Sequence, residues 1–583
     1  MCDLQRTQID GHIEYEALSY CWGNPSVTVS VLVNGVSLQV TKNLAAALRA
    51  LRSNSEARIL WIDAICINQD DLAEKNSQVP LMGKIYTNSS RTIVWLGESD
   101  TESRRAFDLI QKGTRYYSKS INPVLRNPWF RRIWIVQEVA LAPSVIIQCG
   151  RHIAEWNKLI KAASVPGNDI GTMFNPAEAG SKHLHPSFYP MILDSTRNRV
   201  RERRWFPLRE ALRAFQPFDA TKPVDKIFGI MGLIDDPDLI RVDYDRTVQQ
   251  VYHETALRII NQSQSLELLL DCLQTTTRPN TPGLPSWVPD WSATDQPLDK
   301  PMLAVLAEER FAASQATSTG QAVVEEDGSL KLSGHVIGRI TELGRHFPTI
   351  SDMRERYWPF GKRLPNKRFY NVIFDLVDIF LDWKDVTCRV NQQRVSLADT
   401  YPTGETLLEA FYHTVGMTGA PFSDIEIARD FDKWITLMEL WLSVSVWYRK
   451  NIANRLPWLF VYVVLGPSAA IGTFILLFKV FRGQIILDAP ETAPDASRQH
   501  MVLGRIDRAF DSLIGLFPAP GLTAPNAVAS CSGDTVVVFK GGARPFVLRR
   551  HEDKWRLIGD CYVHGIMYGA AFEEDKCVDI HLV

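Results

Sequence analysis

The chain has 583 residues, with 64 Lys+Arg against 66 Asp+Glu, a formal charge of −2, and 22% charged beside 45% hydrophobic residues. That composition excludes a wholly disordered, collagen-like or coiled-coil chain, and the length suggests about three domains. No net basic charge marks a nucleic-acid binder, so nucleic acid is not expected as a partner.

Nine cysteines, none in CxxC spacing, fit reduced thiols and a cytoplasmic setting better than a disulfide scaffold. His183 and His185 lack ligand-spaced companions, so no metal site is expected. The opening residues, MCDLQRTQIDGHIEYE, contain no apolar run of a secretory signal.

In chain order, Val27, Val29, Val31 and Val33 alternate up to Asn34-Gly35, and Val36, Leu38 and Val40 alternate after it, which predicts a hairpin. Thr41 or Asn43 can cap a helix bearing Leu44, Ala47, Leu48 and Leu51 on one face. Arg58 to Asp63 suits a central strand. Asp70 or Asp71 can cap a helix with Glu74 in its first turn and Val79, Met82, Ile85 and Tyr86 on its apolar face. Thr92 to Leu96 is the next strand, followed by a helix capped at Ser99 or Asp100. Pro128 starts a helix running through Trp134 and Glu138, and Val145 to Ile147 form one more strand. Strands alternating with helices predict an α/β unit with an open, mostly parallel sheet. Ligands of such sheets lie beyond the carboxyl ends of the strands, which puts Asp63 near any pocket unless it only caps a helix.

Beyond this unit 151–330 reads as mainly helical, 331–487 as a mixed region that alternates like strands from Lys331 (KLSGHVIGRITEL), and 488–583 as a small β-rich region after a linker at Asp488–Arg498. The expected boundaries are 1–150, 151–330, 331–487 and 488–583. Trp287 and Trp291 read as a packing turn. The arginine-rich run Arg197–Arg204 is read as a solvated helix face or an anionic contact. Thr535–Phe539, Pro545–Arg549 and Trp555–Leu557 read as strands, with Gly541-Gly542 as a turn. Leu456–Phe478 holds no charged residue over 23 positions. It reads as a single membrane span anchoring the chain, as a buried pair of helices broken at Gly466-Pro467, or as a wrongly spliced segment.

Three runs carry a family resemblance: YEALSYCWG at 15–23, LWIDAICINQDDLAEKNSQVPLMGKIYTNSSRTIVWLG at 60–97, and NPWFRRIWIVQEVALA at 127–142. In order and spacing they resemble the heterokaryon incompatibility (HET) domain of filamentous fungi. Weaker echoes follow in ATKPVDKIFGIMG, LPSWVPDWS and, near the end, RPFVLRR and GDCYVHGIMYG. The family's usual strand before the YEALSY-like motif is missing among the fourteen residues that precede Tyr15, so an edge strand is expected to be absent or the chain to begin late. The resemblance implies an effector of fungal non-self recognition and regulated cell death. It also implies a fold similar to the Toll/interleukin-1 receptor (TIR) domain, which is flavodoxin-like. Many TIR domains cleave NAD with a glutamate in a Trp-x-x-x-Glu arrangement, the spacing of Trp134 and Glu138. NAD is then a substrate, and no bound cofactor is expected. Self-association through the domain and an unknown protein partner in recognition are implied as well.

The residues themselves leave two readings open. On a continuous helix Arg131, Trp134 and Glu138 would share one face, with Ile135 and Val139 on a buried stripe. There Trp134 can stack on a ring, while Glu138 stabilises the positive sugar formed as a glycosidic bond breaks. Ser19, Tyr20 and Trp22 would supply a second wall of the pocket. Alternatively Glu138 pairs with Arg131 or Arg132 and holds the helix in place, and the domain signals without catalysis by assembling or recruiting a partner.

Overall fold

The structure is a computed structural model that describes residues 2–113, 119–163, 186–272, 281–293, 311–315, 322–340, 343, scattered residues from 382 to 410, and 531–583, apart from positions 10, 12, 54, 562 and 564. The apolar stretch 456–478 and the linker at 488–498 lie outside the described residues. Among the described residues no helix is long and apolar enough to cross a membrane. The chain divides into two compact units: Met1–Ile259 with Asn280–Leu284 and Asp290–Pro301, and Ile260–Pro279 with Pro285–Pro289 and Met302–Val583.

The first unit is built on a five-stranded sheet. Its strands are β1 (Glu16–Tyr20), β4 (Leu60–Trp61), β5 (Arg91–Trp95), β6 (Val145–Cys149) and β7 (His152–Glu155). They lie in the order β4-β1-β5-β6-β7, and all pairs are parallel except β6–β7. Counted along the chain this is 2-1-3-4-5, the order of flavodoxin-like doubly wound sheets. The expected strand at Arg58–Asp63 shrinks to two residues, because Ile62 already serves as the N-cap of α2 (Asp63–Cys66).

The hairpin forms as β2 (Thr28–Val33) and β3 (Val36–Thr41), paired from Val33↔Val36 to Thr28↔Thr41. Asn34 at φ 49° and Gly35 at φ 76° make the turn, both in the left-handed region that a two-residue hairpin loop requires. It is a sheet of its own. Val29 and Val31 pack against the core, while Val36 stays 70% exposed. Thr41 caps α1 (Lys42–Leu51), whose Leu44, Ala45, Ala47 and Leu51 cover the sheet face carrying Leu18, Tyr20, Ile93 and Trp95.

The helix expected from Asp71 onward is split. Asp71 caps α3 (Leu72–Gln78), a 3-10 turn holds Pro80, and α4 (Met82–Asn88) follows. Proline cannot donate to the preceding turn, so the break falls where its ring enters. Asp100 and Ser103 form the reciprocal cap of α5 (Thr101–Lys112), and the short α6 (Asn122–Leu125) follows.

The helix expected from Pro128 is also broken. Pro128–Arg131 form a 3-10 turn, Arg132 is extended, and α7 comprises only Ile135–Ala140. Every residue of α7 is buried, so it has no solvent face. Beyond the sheet come helices Phe188–Arg201, Leu208–Ala214, Asp225–Phe228 and Val248–Ser263.

The second unit holds a β-barrel. Strands Thr535–Phe539, Phe546–His551, Lys554–Asp560 and Val578–Leu582 pair in sequence, and Leu330–Arg339 pairs with both the last and the first of them. The ring therefore closes on five strands, which removes the unpaired edges an open sheet would expose. Val537, Phe539, Leu548, Leu557 and Leu582 fill its interior and are fully buried. Trp287 packs in this unit with its indole NH toward the Gly328 carbonyl, and Trp291 packs edge-on against Tyr252 in the first unit.

Candidate functional site

The switch in strand order falls between β1 and β5, so the carboxyl end of β1 is where chemistry is expected. Alternation along β1 sends Ser19 to one face of the sheet and Tyr20 to the other. Ser19 donates its hydroxyl to the Glu138 carboxylate on α7 and accepts from Trp129 Nε1 at 2.7 Å. Thr92 of β5 anchors the same helix by donating to the Glu138 carbonyl at 3.0 Å. On the solvent side, Trp22 Nε1 donates to Asp63 Oδ2 at 2.8 Å, and the Tyr20 hydroxyl bonds the same carboxylate. Arg132 donates to the Tyr20 carbonyl and sits among Glu138, Cys21 and Asp63. Glu138, Ser19 and Tyr20 are buried to 2% exposure or less, whereas Cys21, Trp22, Asp63 and Arg132 are half-buried.

The electrostatics follow from that arrangement. Burial pushes the Glu138 carboxyl up to about 7, against the opposing pull of Arg132 and the Ser19 hydrogen bond. Burial likewise raises Asp63, again against Arg132. Arg132 remains a cation because the negative groups around it outweigh its desolvation. One buried and one half-buried carboxylate thus feel the charge of one guanidinium, and the buried one titrates near neutrality. A carboxyl with that pKa can both hold a proton and stabilise a cation.

Arg131 and Trp134 point elsewhere. Arg131 pairs with Asp219 at 3.6 Å, and Trp134 Nε1 donates to Asp225 Oδ2 at 3.2 Å. The shared helical face expected for Arg131, Trp134 and Glu138 is not formed, because the 3-10 turn and the extended Arg132 rotate the earlier residues away from α7. Asp225 also accepts from the Tyr244 hydroxyl at 2.8 Å. The structure therefore brings together Ser19, Tyr20, Trp22, Asp63 and Glu138, and sets Trp134 and Arg131 at a neighbouring cluster.

Two residues of the first cluster are not expected in the pocket from sequence. Trp129 is not singled out there, and Arg132 reads only as a partner for Glu138. The doubled Arg in NPWFRRIW was the available signal, since one of two adjacent arginines near a buried acid has to face inward.

Two further segments hold α7 from behind. Arg197 is buried at 3% exposure and donates to the carbonyls of Val139 and Ala142 at 2.5 Å and of Pro143 at 2.8 Å. It satisfies the carbonyls that a helix C-terminus leaves open. This corrects the expectation for the arginine-rich run: Arg197 is a buried clamp, and Arg199 and Arg204 pair with Glu210 and Glu202. On the other side Gln137 donates to the Gly229 carbonyl at 2.7 Å and accepts from Gly232 N at 3.1 Å. A Cβ on Gly232 would meet Gln137 Oε1 at 2.2 Å, so this contact needs glycine.

Among the described residues no group of three or more His, Cys, Asp or Glu could hold a metal ion. An open depression of about 420 Å³ lies by Arg58, Arg91, Gln148 and Lys158, and it shares no residue with the Glu138 cluster. Its two arginines are already engaged with Glu16.

Comparisons with known proteins agree with this partition. The family model for the heterokaryon incompatibility protein (HET) matches residues 15–138, which span β1 through Glu138. The Het-6 β-barrel domain matches residues 521–583, which include four of the barrel strands. The chain is similar to heterokaryon incompatibility protein 6, OR allele, of Neurospora crassa, at 24% identity, covering all of this chain and 93% of that protein. No solved structure matches.

Proposed function

Since the chain is a HET-domain protein, we propose that it acts in heterokaryon incompatibility as a cell-death effector of fungal non-self recognition, and that its N-terminal unit hydrolyses NAD at the nicotinamide–ribose bond. The observation that carries the catalytic part is the Glu138 carboxyl, buried beside Ser19 and Arg132 with its pKa near 7. The 2-1-3-4-5 strand order supports the likeness to TIR domains, and Glu138 lies on the helix between the third and fourth strands.

In this reading nicotinamide leaves as positive charge builds on the ribose. A fixed carboxylate that is ionised at that moment stabilises the charge more in the transition state than in the ground state. Arg132 keeps Glu138 partly ionised, and Ser19 holds the carboxylate in one rotamer. The half-buried Trp22 and Asp63 line the approach above the buried Tyr20, with the Asp63 carboxylate available to ribose hydroxyls.

One observation favours a second reading. Glu138 is 2% exposed and is engaged by Ser19 and Arg132, as a structural acid would be. In that case the unit signals by self-assembly or by recruiting a protein partner.

NAD turnover by the purified full chain at high protein concentration, beside Glu138→Gln, separates the two. Nicotinamide release by the wild type, reduced at least about a thousandfold in the variant, is the expected result, on the scale of losing a central carboxylate. Equal rates in both, or no turnover by a folded wild type, would favour the signalling module.

A further inference from the structure

Behind Trp134 lies a pair of cations that the site described so far does not use. Lys75 on α3 and Lys222, just before the helix Asp225–Phe228, converge on the ring of Tyr244, with their ammonium nitrogens 4.3 and 5.1 Å from its centroid. Neither forms an ion pair with a carboxylate among the described residues. Asp225, the acid that acts most on Lys75, already accepts from Trp134 and from the Tyr244 hydroxyl. The ring thus turns its hydroxyl to the acid and its face to the two ammonium groups.

Holding two like charges against one ring is unfavourable. Burial and the charge of Lys222 both push Lys75 below the ordinary lysine value, while Asp225 and Asp63 pull the other way. The Asp225 carboxylate offsets part of the repulsion, and the cation–π attraction contributes about 0.5–1 kcal/mol more per partly exposed cation. A dianionic ligand bridging both ammonium groups would relieve it. Tyr244 and Trp134 share the Asp225 carboxylate, and the Trp134 carbonyl accepts from Glu138 N at 3.4 Å, so the pair stands one helical turn from Glu138. Lys222 is exposed and Lys75 half-buried, so solvent reaches both.

We infer that Lys75 and Lys222 bind the diphosphate of a dinucleotide whose ribose end is presented to the Glu138 cluster, with Tyr244 as their platform. This deepens the NAD reading and rests on it for the identity of the ligand. The cations themselves would select any ligand with a diphosphate over the corresponding nucleoside.

The test measures binding rather than turnover. Isothermal titration of the full chain with ADP-ribose, adenosine and inorganic pyrophosphate is compared with Lys75→Gln/Lys222→Gln and with Lys75→Arg/Lys222→Arg. Glutamine keeps an aliphatic stem over the ring, and thermal melting checks that each variant is folded. ADP-ribose should bind the wild type and the arginine variant. It should bind about tenfold weaker for each lysine replaced by glutamine, the scale of one charge-assisted hydrogen bond. Adenosine should bind weakly and equally to all. Equal ADP-ribose affinity in wild type and glutamine variant, or no ADP-ribose binding at all, would overturn the assignment. Pyrophosphate binding as tight as ADP-ribose would overturn the dinucleotide as its ligand. A wild type that binds ADP-ribose through the lysines yet releases no nicotinamide would sink the hydrolase reading and leave this site standing.

Discussion

At Glu138, burial and the charge of Arg132 pull in opposite directions. Its pKa rises on folding from the ordinary 4.5 to about 7, so the folded state binds more protons than the unfolded one between those values. The contribution of this group to stability is therefore complete below about pH 4.5 and is lost as the pH climbs through 7. The full shift corresponds to on the order of 3 kcal/mol. Glu138→Gln keeps the shape and removes the ionisation. It should raise the melting temperature at pH 8 while changing it little at pH 5, and melting curves of both proteins at the two pH values test this. Asp63 and Asp225 are raised in the same direction and would keep some residual pH dependence in the variant. Arg197 is a second decisive residue, since its guanidinium closes three carbonyls at the end of the helix that carries Glu138. Arg197→Met should cost about 2–4 kcal/mol by chemical denaturation, because those buried acceptors lose their donor. Nothing in the run Arg197–Arg204 distinguishes this inward arginine from its solvated neighbours, because the carbonyls it serves lie more than fifty residues earlier in the chain.

At the scale of elements, the local signals were legible wherever the deciding interaction is local. Asn34-Gly35 set the hairpin turn, Thr41 and Asp71 cap their helices through their own side chains, and Asp100 forms a reciprocal cap three residues long. The failures lie where a neighbour in space overrides the pattern. Periodicity suggested a helix from Pro128 with one buried stripe. Instead Asp219 pairs with the Arg132 segment as an isolated bridge, bonds both flanking residues, and pulls that segment out of helical geometry. The remaining six-residue α7 is packed on all sides, by β1 and β5 in front and by Gly229–Gly232 and Arg197 behind. Gly232→Ala tests that wall: its Cβ would fall 2.2 Å from Gln137 Oε1 and 3.2 Å from Gly83 Cα. The substitution should destabilise by about 2–3 kcal/mol through overpacking and loss of the Gln137 hydrogen bonds. If α7 positions Glu138, it should also reduce NAD turnover more than its melting temperature alone accounts for.

At the scale of the molecule, the barrel is the clearest case of a fold that the strand pattern only half reveals. The strands are readable from alternation and glycine turns as 535–539, 545–549 and 555–557, and the last two run on to His551 and Asp560. Ring closure is not, because it needs Leu330–Arg339, nearly two hundred residues earlier, to pair with both Thr535–Phe539 and Val578–Leu582. Removing Val578–Val583 should leave Leu330–Arg339 without one of its two ring partners and open two edges. The expected outcome is faster proteolysis of 531–577 and aggregation on heating, read by limited digestion and light scattering. An unchanged digestion pattern would mean that the ring does not depend on its last strand.

The sequence by itself determined the alternating α/β character of the N-terminal unit, its caps and turns, the β character of the C-terminal region, and the family to which the motifs at 15–23, 60–97 and 127–142 point. These follow from short-range backbone preferences and from patterns that each segment carries alone. Tertiary structure alone decided that Ser19, Tyr20, Trp22, Asp63, Arg132 and Glu138 meet, while Trp134 and Arg131 turn to Asp225 and Asp219. Side-chain direction around Arg132 depends on a backbone path fixed by Asp219, and the pKa of Glu138 depends on the water excluded by β1, β5 and Trp129. Burial and long-range pairing are properties of the assembled core, and no window of sequence contains them.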